Sequence, residues 1–400
     1  MELCPLPEEE KKTYAFIQSN GPVTKKELEK MTGIKPSTMG RIIAYLVKNG
    51  FVHESGTLQE ASFGRKPLLY DISDLNKFIV GIDISRTGVA IVLCDMKMNV
   101  LDKIEIPGII DYSGASALLD DTANNVLLLL QRNHIEIENV LGVGIAMVGP
   151  VDRHTGITKK IDGFPTDDWS YLPLKEIMES KLGCNVTVDN GAEVAVVYEY
   201  IFGLGKNFNR VAFINSGIGI RSGFISSNVI IRAVNNNEAA LEHTIVIPLG
   251  QQCICGKKGC ARCYATTKAV FENVRRRKAM GGATLIDKPV DMIFFPDVVD
   301  AAHRGDSLCK KEIQNAGDLF GYALSNYISI LNPEVVIING IASHLSDEYY
   351  DSAVNTAKAN LPNGGRDVFF HKGGTHKSLT MAVGAAAMTF EKYMGNPMVD

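Results

Sequence analysis

The sequence has no apolar run long enough to cross a bilayer. Stretches such as 126–130 fall far short of the roughly 18 to 20 residues a membrane helix needs. Its first ten residues carry prolines and acids where a secretory leader carries a basic end and an apolar centre, so a cytoplasmic protein is expected. Cysteine is scarce: eight in 400 residues, unevenly spaced, which excludes a disulfide scaffold and predicts reduced thiols. Tryptophan occurs once, and the net charge of −4 is small. A composition 46% hydrophobic and 22% charged excludes disorder, collagen-like and mucin-like chains, and this length predicts more than one domain.

The charge is unevenly distributed. Residues 11–70 hold ten Lys/Arg against four Asp/Glu, whereas residues 71–400 hold 31 against 37. A basic front followed by an acidic body fits a polyanion partner for the front alone.

Within the front, Tyr14, Phe16 and Ile17 fall at helical spacing before the stop Gly21-Pro22. Thr24 and Glu27 have the spacing of a capping box opening a short second helix, whose apolar face is Leu28 and Met31 and whose stop is Gly33. Pro36 opens a third helix with Ile42, Ile43, Leu46 and Val47 at three-and-four spacing. Two strands, 51–54 and 67–72, with Gly64-Arg65-Lys66 between them, complete the layout of a winged helix-turn-helix. Groove dimensions assign the roles. Ser37, Thr38 and Arg41, on the first turns of the third helix, face base edges, and Arg41 suits bidentate contact with guanine. Lys25, Lys26, Arg65 and Lys66 are placed to meet phosphates. The competing reading is a protein-binding module whose lysines are a solvated face; the salt dependence of DNA binding separates the two.

From Phe78 onward, apolar strands ending in polar or glycine turns alternate with helices. A hairpin comes first, then buried strands within 140–152, 185–193, 210–220 and 333–341, with helices at 115–132, 192–202, 266–278, 306–331 and 381–393. Two rounds of such elements predict an α/β body of two lobes, with sites gathered at strand ends. Cys253, Cys255 and Cys260 could present three thiolates on one tight loop, with Gly256 and Gly259 allowing the turns, and His243 would close a tetrahedral structural zinc site. Cys263 could replace His243.

The order of these motifs resembles the ROK family of sugar-responsive repressors and sugar kinases over nearly the whole chain. The most specific match is His243 followed by C-I-C-G-K-K-G-C, which is similar to the family's zinc-binding signature. The resemblance implies a two-lobed actin/hexokinase-like body at 75–400, with a zinc loop near 243–263, behind a winged helix at 1–74 as in the repressor branch.

The resemblance also marks what has been lost. The family's catalytic base is the Asp of an Asn-Asp-Ala turn, which reads Asn190-Gly191-Ala192 here, with Asp189 too far back to replace it. The first phosphate turn reads Asp83-Ile84-Ser85-Arg86-Thr87 without its two glycines, the second continues into Ile220-Arg221, and the late turn keeps only Gly340. Two carboxylates that grip the sugar are Ala240 and Arg262 here, leaving Asn190 and His243. Asn190, Asp189, His243 and Arg262 are therefore the candidate ligand residues, and Arg262 suits an anionic ligand better than a neutral hexose. The expected protein is a DNA-binding repressor without kinase activity; the alternative is a sugar kinase that carries a DNA-binding module. It acts as a homodimer or homotetramer on a palindromic operator, controlled by a sugar or an anionic sugar derivative or by no small ligand at all. Asp167-Asp168-Trp169 and Gly384 are read as packing features.

Overall fold

A computed structural model describes residues 6–58, 66–108, 114–161, 164, 166–232, 240–396 and 398–399. The front begins with α1 (Glu8–Asn20), β1 (Val23–Thr24), α2 (Lys25–Thr32) and α3 (Pro36–Lys48), followed by an antiparallel ribbon of β2 (Val52–Thr57) and β3 (Leu68–Ile72). The capping box forms: the Thr24 hydroxyl accepts from the Glu27 N–H, and the Thr24 N–H donates to Glu27 Oε2 at 2.7 Å. Gly33, with φ 71°, closes α2 in the left-handed conformation. Two local expectations change. Val23–Thr24 adds a third strand by pairing with β3, and Met31 is 63% exposed, so Leu28 and Thr32 form the buried side of α2.

The body consists of two lobes of like topology. The first begins with the meander β4 (Phe78–Ile84), β5 (Gly88–Cys94) and β6 (Val100–Pro107), then α4 (Ala115–Arg132) and β7 (Val140–Met147). A short pair, β8 (Val151–Asp152) and β9 (Ile157–Thr158), precedes α5 (Leu174–Leu182), β10 (Val186–Asn190) and α6 (Gly191–Ile201). The sheet order is β10-β7-β4-β5-β6, parallel across β10, β7 and β4 and antiparallel beyond.

The second lobe repeats the plan with β11 (Arg210–Ser216), β12 (Ile220–Ser226) and β13 (Val229–Ile230). Helices α7 (Arg262–Ala265), α8 (Thr267–Ala279), α9 (Phe295–His303) and α10 (Ser307–Leu331) lead to β14 (Val335–Asn339). The chain ends through α11 (Ile341–Leu345), α12 (Asp347–Ala359), β15 (Phe369–Lys372) and α13 (Thr380–Tyr393). The sheet order is β13-β12-β11-β14-β15.

Helix α13 is the element the other parts share. Gly81 in β4 and Gly144 in β7 lack the Cβ that would strike the carbonyls of Ala382 and Ala385, so the helix backbone lies directly on the first sheet. A Cβ at Gly384 would stand 2.6 Å from the Val194 carbonyl of α6, which is close helix packing, as the sequence suggests. The outer face of α13 (Ala382, Val383, Ala386, Ala387, Phe390, Met394) joins one apolar core with Tyr14, Ile17, Leu46 and Phe51 of the front. Polar contacts reinforce this seam. Gln18 Nε2 donates to the Met96 carbonyl at 2.6 Å, Lys206 Nζ to the Ser19 carbonyl at 2.5 Å, and Lys97 pairs with Asp71 at 2.5 Å. Trp169 is 1% exposed against Phe164, and Asp168 Oδ2 accepts from the Ala115 N–H at the start of α4.

Candidate functional site

The carboxyl ends of the strands converge on a cleft of about 450 Å³, where open α/β sheets place ligands. Asp83, Ser85, Arg86 and Thr87 line it from one lobe, and Asn215, Gly217, Arg221, Asn339 and His344 from the other. Asp83 is buried and burial raises its pKa to about 7. The turn expected to carry a base begins at Asn190, whose side-chain oxygen caps α6 by accepting from the Ala192 N–H at 2.9 Å. At Gly191 a Cβ would lie 2.9 Å from the Met381 sulfur, so a side chain there would have to turn the end of the Met381 side chain aside.

Asp189 does not face this cleft as an open carboxylate. Arg232 donates to both of its oxygens at 3.2 Å, Lys392 stands 3.8 Å away, and Arg232 also pairs with Glu193. Arg262 is likewise engaged. Its Nη1 donates to Glu242 Oε1 at 2.6 Å, and Arg221 Nη1 reaches the same oxygen at 2.8 Å. Glu242 Oε2 accepts from the Ile220 N–H at 2.8 Å. Burial opposes the charge on Glu242, but the two guanidiniums and this N–H outweigh it and hold the carboxyl below its ordinary range. The buried Glu242 carboxylate, one residue before His243, thus pairs with both Arg262 and Arg221.

His243, Cys253, Cys255 and Cys260 come together. Their ligand atoms all lie within 4.8 Å of one another, with His243 Nδ1 3.5 Å from Cys253 Sγ and Cys255 Sγ 3.6 Å from Cys260 Sγ. A tetrahedral zinc with ordinary bond lengths has edges of about 3.6 to 3.8 Å, so the donor set fits that ion. Burial lowers the pKa of His243 against the opposing pull of the Glu242 carboxylate, and nearby cations add to the lowering, which favours the neutral imidazole that a metal requires. Cys263 stands outside this group, with its sulfur 3.9 Å from the Gln252 carbonyl.

On the front module, Ser37 and Arg41 are exposed on α3, Thr38 is half-buried, and Ile42, Ile43 and Leu46 are buried beneath them. Ala44 and Tyr45 continue the exposed stripe at helical spacing, a signal present in the sequence but carried by residues without a charged side chain. Lys25, Lys26, Lys30 and Lys66 line one open groove between α2 and the ribbon. Lys25 Nζ lies 3.7 Å from Glu29 and packs beside Gly40 of α3. Arg65 lies outside the described residues.

Among known proteins, the chain is 24% identical to the xylose repressor of Bacillus spizizenii, over 85% of this chain and 87% of that one. It is 26% identical to the glucokinase of Thermotoga maritima, over 66% of this chain and 81% of that one. Among solved structures, a ROK family transcriptional regulator, a homologue of the E. coli MLC protein, superposes with a TM-score of 0.78 at 22% identity, over 98% of this chain and 96% of the other. No helix among the described residues is long and apolar enough to cross a membrane. The sequence profile of the ROK family matches residues 79–391, and the chain belongs to that family.

Proposed function

We propose that this protein is a transcriptional repressor that reads operator DNA through residues 1–74 and senses a sugar or sugar derivative through residues 75–400. It acts as a homodimer or homotetramer with zinc in the loop and without sugar phosphorylation. The observation that carries the reading is the fusion of a basic three-helix-and-ribbon unit to a kinase-like body in which Met381 crowds the position of the missing base. The relative named a xylose repressor aligns over most of both chains, which supports the same division of labour. Arg41 and Ser37 are assigned to bases, with Thr38 behind them, and Lys25, Lys26, Arg65 and Lys66 to phosphates.

Coupling follows from α13. Its first turn reaches the cleft through Met381, while its outer face lies in the core shared with α1 and α3. A ligand that favours one lobe angle moves this helix, and with it the spacing of two DNA-reading heads. Coupling of about 1 to 3 kcal/mol, or 5- to 150-fold in operator affinity, is typical of such devices. The test is fluorescence anisotropy on fragments from upstream of sugar-utilisation genes, with and without a panel of sugars and sugar derivatives. Binding that weakens with salt and shifts with one sugar supports the reading; a salt-insensitive complex contradicts it.

A further inference from the structure

The side chains around the metal group carry a second arrangement, independent of the DNA-reading head. His243 turns Nδ1 toward Cys253 and Nε2 toward Glu242, whose Oε1 is 3.6 Å away. That distance is an electrostatic contact, longer than a hydrogen bond. The carboxylate is 1% exposed and held from three other directions: by Arg221 of β12, by Arg262 of α7 and by the Ile220 N–H. Two elements, β12 and α7, therefore fix one carboxylate against the ring nitrogen that is turned away from Cys253.

We propose that Glu242 is a positioning residue for the metal site. By facing Nε2 it holds the His243 ring and tautomer so that Nδ1 meets the ion, and it takes the imidazole face that would otherwise meet a ligand hydroxyl. His243 then serves the metal, and the ligand set of the cleft loses it. The charges support this arrangement. Three thiolates, a neutral imidazole and Zn²⁺ sum to −1, and two guanidiniums with one carboxylate sum to +1, so the buried pair of clusters is neutral together. Carboxylates placed behind metal-bound histidines commonly govern retention of the metal.

The inference rests on the metal reading above, and the experiment separates the two. The full-length protein is stripped of metal and reloaded with Zn²⁺ or, as a spectroscopic probe, Co²⁺. Its affinity is measured by competition with a chromogenic chelator. Unaltered protein that binds neither ion overturns the metal reading itself. Glu242→Gln leaves two half-buried guanidiniums without a counter-charge and is therefore paired with Glu242→Gln/Arg262→Gln, which keeps the net charge of the cluster at +1. Both are expected to hold Zn²⁺ 10- to 100-fold more weakly and to alter the Co²⁺ absorption bands. Arg262→Gln alone keeps the carboxylate and is expected to retain the metal within about threefold, with an unchanged cobalt spectrum. A folded double variant with unaltered zinc affinity and cobalt bands would overturn the proposal, leaving Glu242 a counter-ion and nothing more.

Discussion

The sulfur of Met381 lies 2.9 Å from where a Cβ on Gly191 would stand. The end of the Met381 side chain thus reaches from α13 to the Asn190-Gly191 turn at the start of α6. Gly191→Asp is expected to leave ATP-dependent sugar phosphorylation undetectable in a coupled ADP assay. It should cost little stability, because the group it meets is the movable end of the Met381 side chain. Gly191→Asp/Met381→Ala should show no turnover either, because Ser85, Arg86 and Thr87 still line the cleft. Turnover by either variant would show that the site is closer to a kinase than this geometry allows.

Replacing Arg41 by Ala should cost about 1 to 3 kcal/mol at one base pair of the operator and relax discrimination there. Replacing Lys26 or Lys66 should weaken binding to all sequences and reduce the slope of log affinity against log salt by about one. Anisotropy titrations at four salt concentrations distinguish the two behaviours.

Much of this was legible in the chain itself, because local rules carry the information. Pro36, the capping box of Thr24 and Glu27, and the glycine turns of the cysteine loop act within a few residues of themselves. The predicted helix at 115–132 coincides with α4 for the same reason, since its apolar positions repeat along one continuous face. What was missed depends on distance. Arg221 and Arg262 stand in the sequence as two separate departures from a family pattern and Glu242 carries no signal of its own; only the packing of β12 and α7 around one loop makes the three a single ion cluster. The short helices α5, α9 and α11 and the edge strands β13 and β15 carry too few periodic residues to declare themselves. The core shared by α13 and the front was hidden because each half, by itself, reads as an ordinary apolar face.

Chelation applied to the zinc-loaded protein should lower its melting temperature and expose the 243–263 segment to protease, since binding free energy at such sites is folding free energy. Cys253→Ser should reproduce the effect without chelator. Cys263→Ser should leave metal content unchanged, because that thiol lies outside the four-atom group. Metal analysis of the three proteins checks the set.

Asp83 is buried without a hydrogen-bond partner for Oδ1 and has a native pKa of about 7, against 3.8 for an ordinary aspartate. The folded state therefore keeps a proton that the unfolded chain has released. The stabilisation is complete below the ordinary value and is lost as pH rises through 7. Asp83→Asn cannot ionise, so its stability relative to the parent protein should improve by about 2 to 3 kcal/mol between pH 5 and pH 8. Denaturant melts at the two pH values test this; a difference that does not change with pH would contradict it.

Packing of α13 against the front core predicts that the two functions can be separated. Enlarging Ala386, fully buried in that core, to Leu should shift operator affinity while leaving sugar binding by the cleft nearly intact. Calorimetry with sugar and anisotropy with DNA on the same preparation would show this.

The most direct test of the central claim is selection of fragmented genomic DNA by the purified full-length protein at low ionic strength, followed by titration of the recovered element with salt and with candidate sugars. The expected result is a small set of inverted-repeat elements, affinity that falls steeply with salt, release or tightening by a particular sugar, and no consumption of ATP throughout. Recovery of no element above background, or phosphorylation of the sugar that is bound, would contradict it.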